Sequence, residues 1–137
     1  MTKLYGVVGD PISHSLSPVI HNAWIREHGI DASYEAMHIP KGAFAEGLET
    51  LADRKALGLN VTSPHKEDAI ELAEGTSDVA RRIGAANTLI RLKTGGWLAE
   101  NTDAPGFTEA LNRASIEIAG QNVCLLGAGG AARAVAL

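Results

Sequence analysis

Cysteine is almost missing from this chain. Cys124 stands alone, so no internal disulfide can form. Its place in the apolar run Val123-Cys124-Leu125-Leu126 reads as a reduced, buried strand residue. Positive charge is in deficit, with 12 Lys and Arg against 16 Asp and Glu and a net charge of −4. That balance argues against nucleic acid or an anionic membrane surface as the main partner. Long hydrophobic runs are lacking too, and none approaches the roughly 20 residues of a membrane span. The opening MTKLYGVVGDP offers no signal-peptide core, because Gly9-Asp10-Pro11 interrupts the apolar stretch. A cytoplasmic protein is the expectation. None of the five histidines, His14, His21, His28, His38 and His65, sits in an HExxH pattern or beside a cysteine pair. No metal site is expected, and His14 and His65 read as solvated loop residues.

What is present is a hydrophobic fraction of 45% in 137 residues, enough for one packed core. Strand-like and helix-like segments alternate along it. Strands are predicted at 4–8, 33–39, 56–61, 87–92, 97–100 and 123–126. Helices are predicted from Ser17-Pro18 to a stop at Gly29, then at 41–54, 66–73, 77–83 and 104–114. A Gly95-Gly96 turn joins two of the strands as a hairpin. This alternation argues for an α/β fold with a mostly parallel sheet flanked by helices. The last strand runs into Gly127-Ala128-Gly129-Gly130 and a helix begins, which is how a Rossmann-type unit of roughly 30 residues or more opens. The expectation is one nearly complete domain at 1–103 and the first piece of a second at 104–137.

Five stretches carry side chains suited to chemistry. In SHSLSP, Pro18 fits the first helical position and Ser17 its N-cap, leaving an anion site beside the hydroxyls of Ser15 and Ser17. That site could hold a carboxylate or could be an ordinary serine cap. In NVTSPHKE, Ser63-Pro64 again reads as cap and first helical residue, which puts Lys66 in the first turn, where an ammonium is disfavoured. Such a lysine is either solvated and tolerated or tuned for proton transfer. Asn60 and Thr62 stand at the carboxyl end of a strand, where open α/β sheets place ligands. In ENTDAPG, Thr102 or Asp103 caps a helix, and in AANT, Asn87 enters a strand; taken alone, both are ordinary turn chemistry. In LLGAGGAAR, Gly127 and Gly129 allow a tight turn, while Gly130 and Ala131 keep the helix start open to a pyrophosphate. The pattern departs from a strict GxGxxG, since residue 132 is Ala.

Taken together, GDPISHSLSPVIHN, NVTSPHKE, IGAANTL, ENTDAPG and GAGGAARA resemble the shikimate dehydrogenase family, in family order, from Gly9 to Ala134. The resemblance implies a substrate-binding α/β domain followed by a Rossmann-type NADP domain. It also implies reversible reduction of 3-dehydroshikimate to shikimate, a step toward chorismate and the aromatic amino acids. Carried over by position, Ser15 and Ser17 would hold the substrate carboxylate. Asn60, Thr62, Asn87 and Asp103 would bind ring hydroxyls and the keto group, with Lys66 and Asp103 as the catalytic pair. Gly127, Ala128, Gly129, Gly130 and Ala131 would cradle the NADP pyrophosphate, and Asp78 matches an acidic position near the cofactor. The basic segment that reads the 2′-phosphate, a later glutamine that contacts substrate and a returning C-terminal helix have no counterpart in these residues. Binding of shikimate without turnover is therefore the expectation for the chain itself. An NAD-dependent quinate/shikimate enzyme, a non-catalytic hydroxy-acid binding module and a homodimer stay open. The intact Lys66 and Asp103 favour an enzyme over the binding module.

Overall fold

The first strand shows how the architecture arises. In the computed structural model, which describes residues 2–137, β1 runs Lys3–Gly9 and carries Val7 and Val8 side by side. Successive strand residues point to opposite faces, so both faces must be covered. Val8 enters the larger core, and Val7 packs with Ile12 and Tyr34 on the other side. Helix α1 (Ser17–Glu27) follows, then β2 (Ala32–His38), α2 (Phe44–Asp53) and β3 (Ala56–Val61). In α2 the buried residues are Phe44, Leu48 and Leu51, one stripe of a 3.6-residue period. The chain continues through α3 (Asp68–Glu71), β4 (Gly75–Thr76), α4 (Asp78–Ile83), β5 (Thr88–Arg91), β6 (Trp97–Glu100), α5 (Asp103–Arg113) and α6 (Gly130–Val135).

The sheet has six strands in the order β2-β1-β3-β5-β6-β4. It is mixed. The pairs β1–β2, β1–β3 and β4–β6 are parallel, whereas β3–β5 and β5–β6 are antiparallel. The β5–β6 reversal follows from the Gly95-Gly96 hairpin, where Gly95 takes φ +99° and the Leu92 amide donates to the Gly96 carbonyl. The registers fix what meets where. Val8 pairs with Val61, Asn60 with Thr88, and Thr88 with Glu100. The ends of β1, β2, β3 and β6 and the start of β5 therefore share one edge.

Several expectations change. The segment 123–126 is not a strand, and Cys124 is exposed. A strand needs a hydrogen-bonded neighbour, and among the described residues none lies beside this one, so Leu126 is 93% exposed. Ser17 is the first residue of α1 rather than its cap. Leu16 is the N-cap residue and makes no side-chain cap bond. Lys66 does not stand in a first helical turn. Residues 63–67 form turns, and α3 begins only at Asp68, after the N-cap residue Glu67. Helix α2 starts at Phe44, not at residue 41. The two-residue strand β4 was not anticipated, being too short to show a period. Among the described residues no helix is long and apolar enough to cross a membrane.

Leu89 lies in β5 at the centre of the sheet, fully buried. Leu89→Ala is expected to destabilise the chain by about 3 kcal/mol, checked by urea unfolding followed by circular dichroism.

Candidate active site

Thr102 sets the polarity of the site. Its backbone N–H can only donate, and it donates to Asn87 Oδ1 at 2.9 Å. The Asn87 amide is thereby oriented, and its Nδ2 is left facing Asp103, donating to Oδ1 at 2.8 Å. The other carboxylate oxygen, Oδ2, accepts from Lys66 Nζ at 2.6 Å. Both ends of this ion pair are partly shielded, with the lysine side chain 17% and the aspartate 32% exposed. A charge-assisted hydrogen bond of this length is among the stronger polar contacts a protein makes.

The network extends further along the sheet edge. Thr88 Oγ1 donates to Asn87 Oδ1 at 3.0 Å and accepts from Asn60 Nδ2 at 3.4 Å. Asn60 Oδ1 in turn accepts from the Tyr34 hydroxyl at 2.6 Å. Burial pushes the Tyr34 phenol up to about 12, so it stays a neutral donor and holds the Asn60 amide in one orientation. The Tyr34 ring stacks on His21, 4.1 Å between centroids. Sequence reasoning missed Tyr34 because a tyrosine in a half-buried strand reads as core.

The backbone brings the loops to this edge. The Thr62 amide donates to Val8 O, and the Asp10 amide donates to Ser63 O at 3.1 Å. Asp10 also joins the β2–α2 connection, accepting from His38 Nε2 at 2.9 Å and from the Lys41 amide at 3.0 Å. The His38 hydrogen bond, followed by the Lys41 amide, holds its carboxyl below the ordinary aspartate range. Asn101 is buried and acts twice. Its Nδ2 donates to Ala85 O at 2.8 Å, and its Oδ1 accepts from the Asp103 amide at 2.9 Å and the Ala104 amide at 3.4 Å. The start of α5, and with it Asp103, is thus capped by Asn101 and not by Thr102 or Asp103. The signal that could have found it is an asparagine two residues ahead of a helix start.

His65 is not a solvated loop residue. It is fully buried, its ring stacked on Phe44 at 4.7 Å and its Nε2 2.7 Å from Ile39 O. Its Nδ1 finds no hydrogen-bond partner among the described residues and faces the Asp68 carboxylate at 3.5 Å. Among the predicted site residues, the structure brings Asn60, Lys66, Asn87 and Asp103 into one network. Thr62 lies beside it, in a cleft of about 350 Å³ lined also by Ser63, Lys66, Gly129, Gly130 and Ala131. Gly127 takes φ +129°, and Gly127 and Ala128 are exposed just before that cleft. Ser15 sits on the loop leaving β1 and Ser17 opens α1, and Ser15 Oγ accepts from the Ser17 amide at 3.3 Å. They make no hydrogen bond to the network. Asp78 is not drawn in either. It is 93% exposed on the first turn of α4 and pairs with Arg81 at 3.4 Å.

This is an α/β domain with an oriented lysine–aspartate pair at one sheet edge, joined to a glycine-rich turn and helix that face the pair. Residues 7–89 match the shikimate dehydrogenase substrate binding domain. The chain is 55% identical over 136 residues to a shikimate dehydrogenase (NADP(+)) of Hyphomonas neptunium, covering 99% of this chain and 50% of that protein. The shikimate dehydrogenase structure from Aquifex aeolicus superposes with a TM-score of 0.91 at 42% identity, covering 98% of this chain and 50% of that one. The enzyme from Thermus thermophilus in complex with NADP(H) and shikimate gives 0.84 at 39% identity, covering 98% and 51%. The chain belongs to the shikimate dehydrogenase family, whose substrate-binding domain it matches over residues 7–89, and spans about half the length of the curated relatives it matches.

Asn101→Ala removes the cap of α5 and leaves Ala85 O without its partner. It is expected to cost about 2 kcal/mol, read by thermal melting. Because the folded value of Asp10 is depressed, its stabilisation is present above the ordinary aspartate range and is lost as pH falls through the folded value. Asp10→Asn is therefore expected to flatten the decline in stability below about pH 4, measured by urea titrations at stepped pH.

Proposed function

We propose that this chain is the substrate-binding half, with the opening of the cofactor half, of an NADP-dependent shikimate dehydrogenase. In this reading the protein interconverts 3-dehydroshikimate and shikimate on the way to chorismate and the aromatic amino acids. The domain boundary falls at 103/104. The observation that carries the reading is the Lys66–Asp103 pair, 2.6 Å apart and oriented by Asn87.

The residues facing the cleft suit a dinucleotide. Gly127 has a backbone conformation that a side chain would strain, and nothing stands within 4 Å of where a Cβ would project from Gly129. Exposed backbone can thus approach a pyrophosphate at 127–131. NADPH, when bound, supplies the hydride. The chain's own residues handle the rest. Reduction of a ketone leaves an alkoxide that needs a proton, and Lys66 Nζ is the donor at the sheet edge; in the oxidation direction its neutral form takes the proton back. Asp103 orients the ammonium and the reacting hydroxyl. Asn60, Thr62 and Asn87 hydrogen-bond ring hydroxyls, and Ser15 and Ser17 hold the carboxylate. Asp78 contributes near the cofactor. The reading is of a cytoplasmic enzyme acting on a small polar acid, with a homodimer as its assembly.

The test uses the longer protein of which this chain is the proposed first half. Lys66→Ala is expected to lower kcat for shikimate oxidation with NADP(+) by about 10³-fold while KM for shikimate moves less than about fivefold. Turnover within tenfold of the parent would remove Lys66 from this role.

A further inference from the structure

Helix α6 rests on the lysine-bearing turn and on the neighbouring 83–85 segment through three contacts of different kinds. Gly130, its first residue, comes so close that an added Cβ would lie 3.1 Å from the Ala85 Cβ and 3.2 Å from Lys66 Cδ. Ala134, buried to 3% exposure, packs with Ile83 and Ala85. Between them Arg133 reaches out in two directions, with Nη2 3.2 Å from Glu67 Oε1 and Nη1 3.5 Å from the Gly84 carbonyl. Glu67 is the residue next to Lys66. Gly84 is the left-handed C-cap of α4, at φ +70°.

The first two contacts are made by glycine and alanine, and such a surface has little relief to stop one element sliding over another. The polar contact does have direction. A guanidinium presents its donors in a planar fork, so two acceptors on different elements fix its plane and position. The turn at 63–67 is otherwise held through backbone and buried groups: Ala86 N–H to Lys66 O at 2.8 Å, and His65 Nε2 to Ile39 O. Neither of these contacts senses α6. Among the described residues, the polar tie between the helix after the glycine-rich turn and the residue beside the lysine is made by Arg133.

We propose that Arg133 is a positioning residue for Lys66: by joining Glu67 to the Gly84 carbonyl, it sets the register of the glycine-turn helix against the lysine's stem. The lysine is then held at its tip by Asp103 and along its chain by Gly130. The role rests on the reading of Lys66 as the proton-transfer group. Exposed ion pairs contribute little to stability, and Arg133 and Glu67 are both about half exposed. The consequence is therefore geometric, felt in turnover more than in melting temperature.

The experiment is a charge-swap cycle in the longer protein: Arg133→Glu, Glu67→Arg and the double variant. It is read by steady-state kinetics with shikimate and NADP(+), and by amide hydrogen exchange at 65–70 without ligands. Each single variant is expected to lose about tenfold in kcat, with both KM values within about threefold and faster exchange in that segment. The double variant restores the link between 133 and 67 but not the one to the Gly84 carbonyl, since a carboxylate cannot donate to it, and is expected to recover part of both losses. Singles with unchanged kcat and exchange, or a double no better than the poorer single, would overturn the proposal. If a reversal variant does not fold, Arg133→Gln and Glu67→Gln replace it; non-additive losses support the coupling and additive ones overturn it. A parent protein without shikimate oxidation would sink the functional reading instead, and the exchange measurements would still decide the role of Arg133.

Discussion

The backbone N–H of Thr102 is a small constraint on which a large part of the site depends. It forces the oxygen of Asn87 toward itself and so presents the amide nitrogen to Asp103. With one carboxylate oxygen engaged, the other is aimed at Lys66. A reversed amide would set its oxygen against the carboxylate, and the lysine would lose the fixed direction of its partner. From the other end, the Tyr34 hydroxyl orients Asn60 in the same manner. The two asparagines meet through Thr88, so a line of hydrogen bonds runs from β2 to α5. Such chains are worth keeping whole, since a buried polar group left without a partner is costly.

The sheet makes this line possible. Asn60 and Thr88 are neighbours across the antiparallel β3–β5 pair, and Thr88 and Glu100 across β5–β6. An all-parallel sheet would have put the start of β5 at the opposite edge from the end of β3. The switch to antiparallel pairing brings residues from three distant stretches of sequence within hydrogen-bond reach.

Much of this was legible from residue order. Strand 56–61 appears where the pattern places it, and the helix read at 77–83 forms at 78–83 with Ser77 as its cap. So does the Gly95-Gly96 hairpin, because each rests on local chemistry: apolar runs, a capping hydroxyl, a glycine free to take positive φ. Asn60 was singled out at a strand end and Lys66 at a helix start, whereas Asn87 and Asp103 read as turn chemistry alone and gained a role only through the family resemblance; the four lie in one hydrogen-bond network. What was not legible depends on tertiary neighbours. Burial of His65 needs Phe44 and Ile39 above it. The non-strand at 123–126 lacks a ladder partner that sequence cannot reveal. Lys66 escaped a first-turn position because the chain turns through five residues before α3 begins. The oxygen that caps α5 comes from Asn101, one residue ahead of the helix's N-cap, a detail set by how the Ala85 carbonyl engages the same side chain.

The Gly95-Gly96 turn lies at the far rim of the sheet, since β5 starts at the polar edge and runs away from it. A side chain at Gly95 would meet open space but be strained at φ +99°, while one at Gly96 would strike Glu74. A fluorescent tag carried on the exposed Lys93 beside this turn would leave Gly95 its backbone angle and sit a whole strand's length from Lys66, giving a handle that reports on the molecule without touching its chemistry.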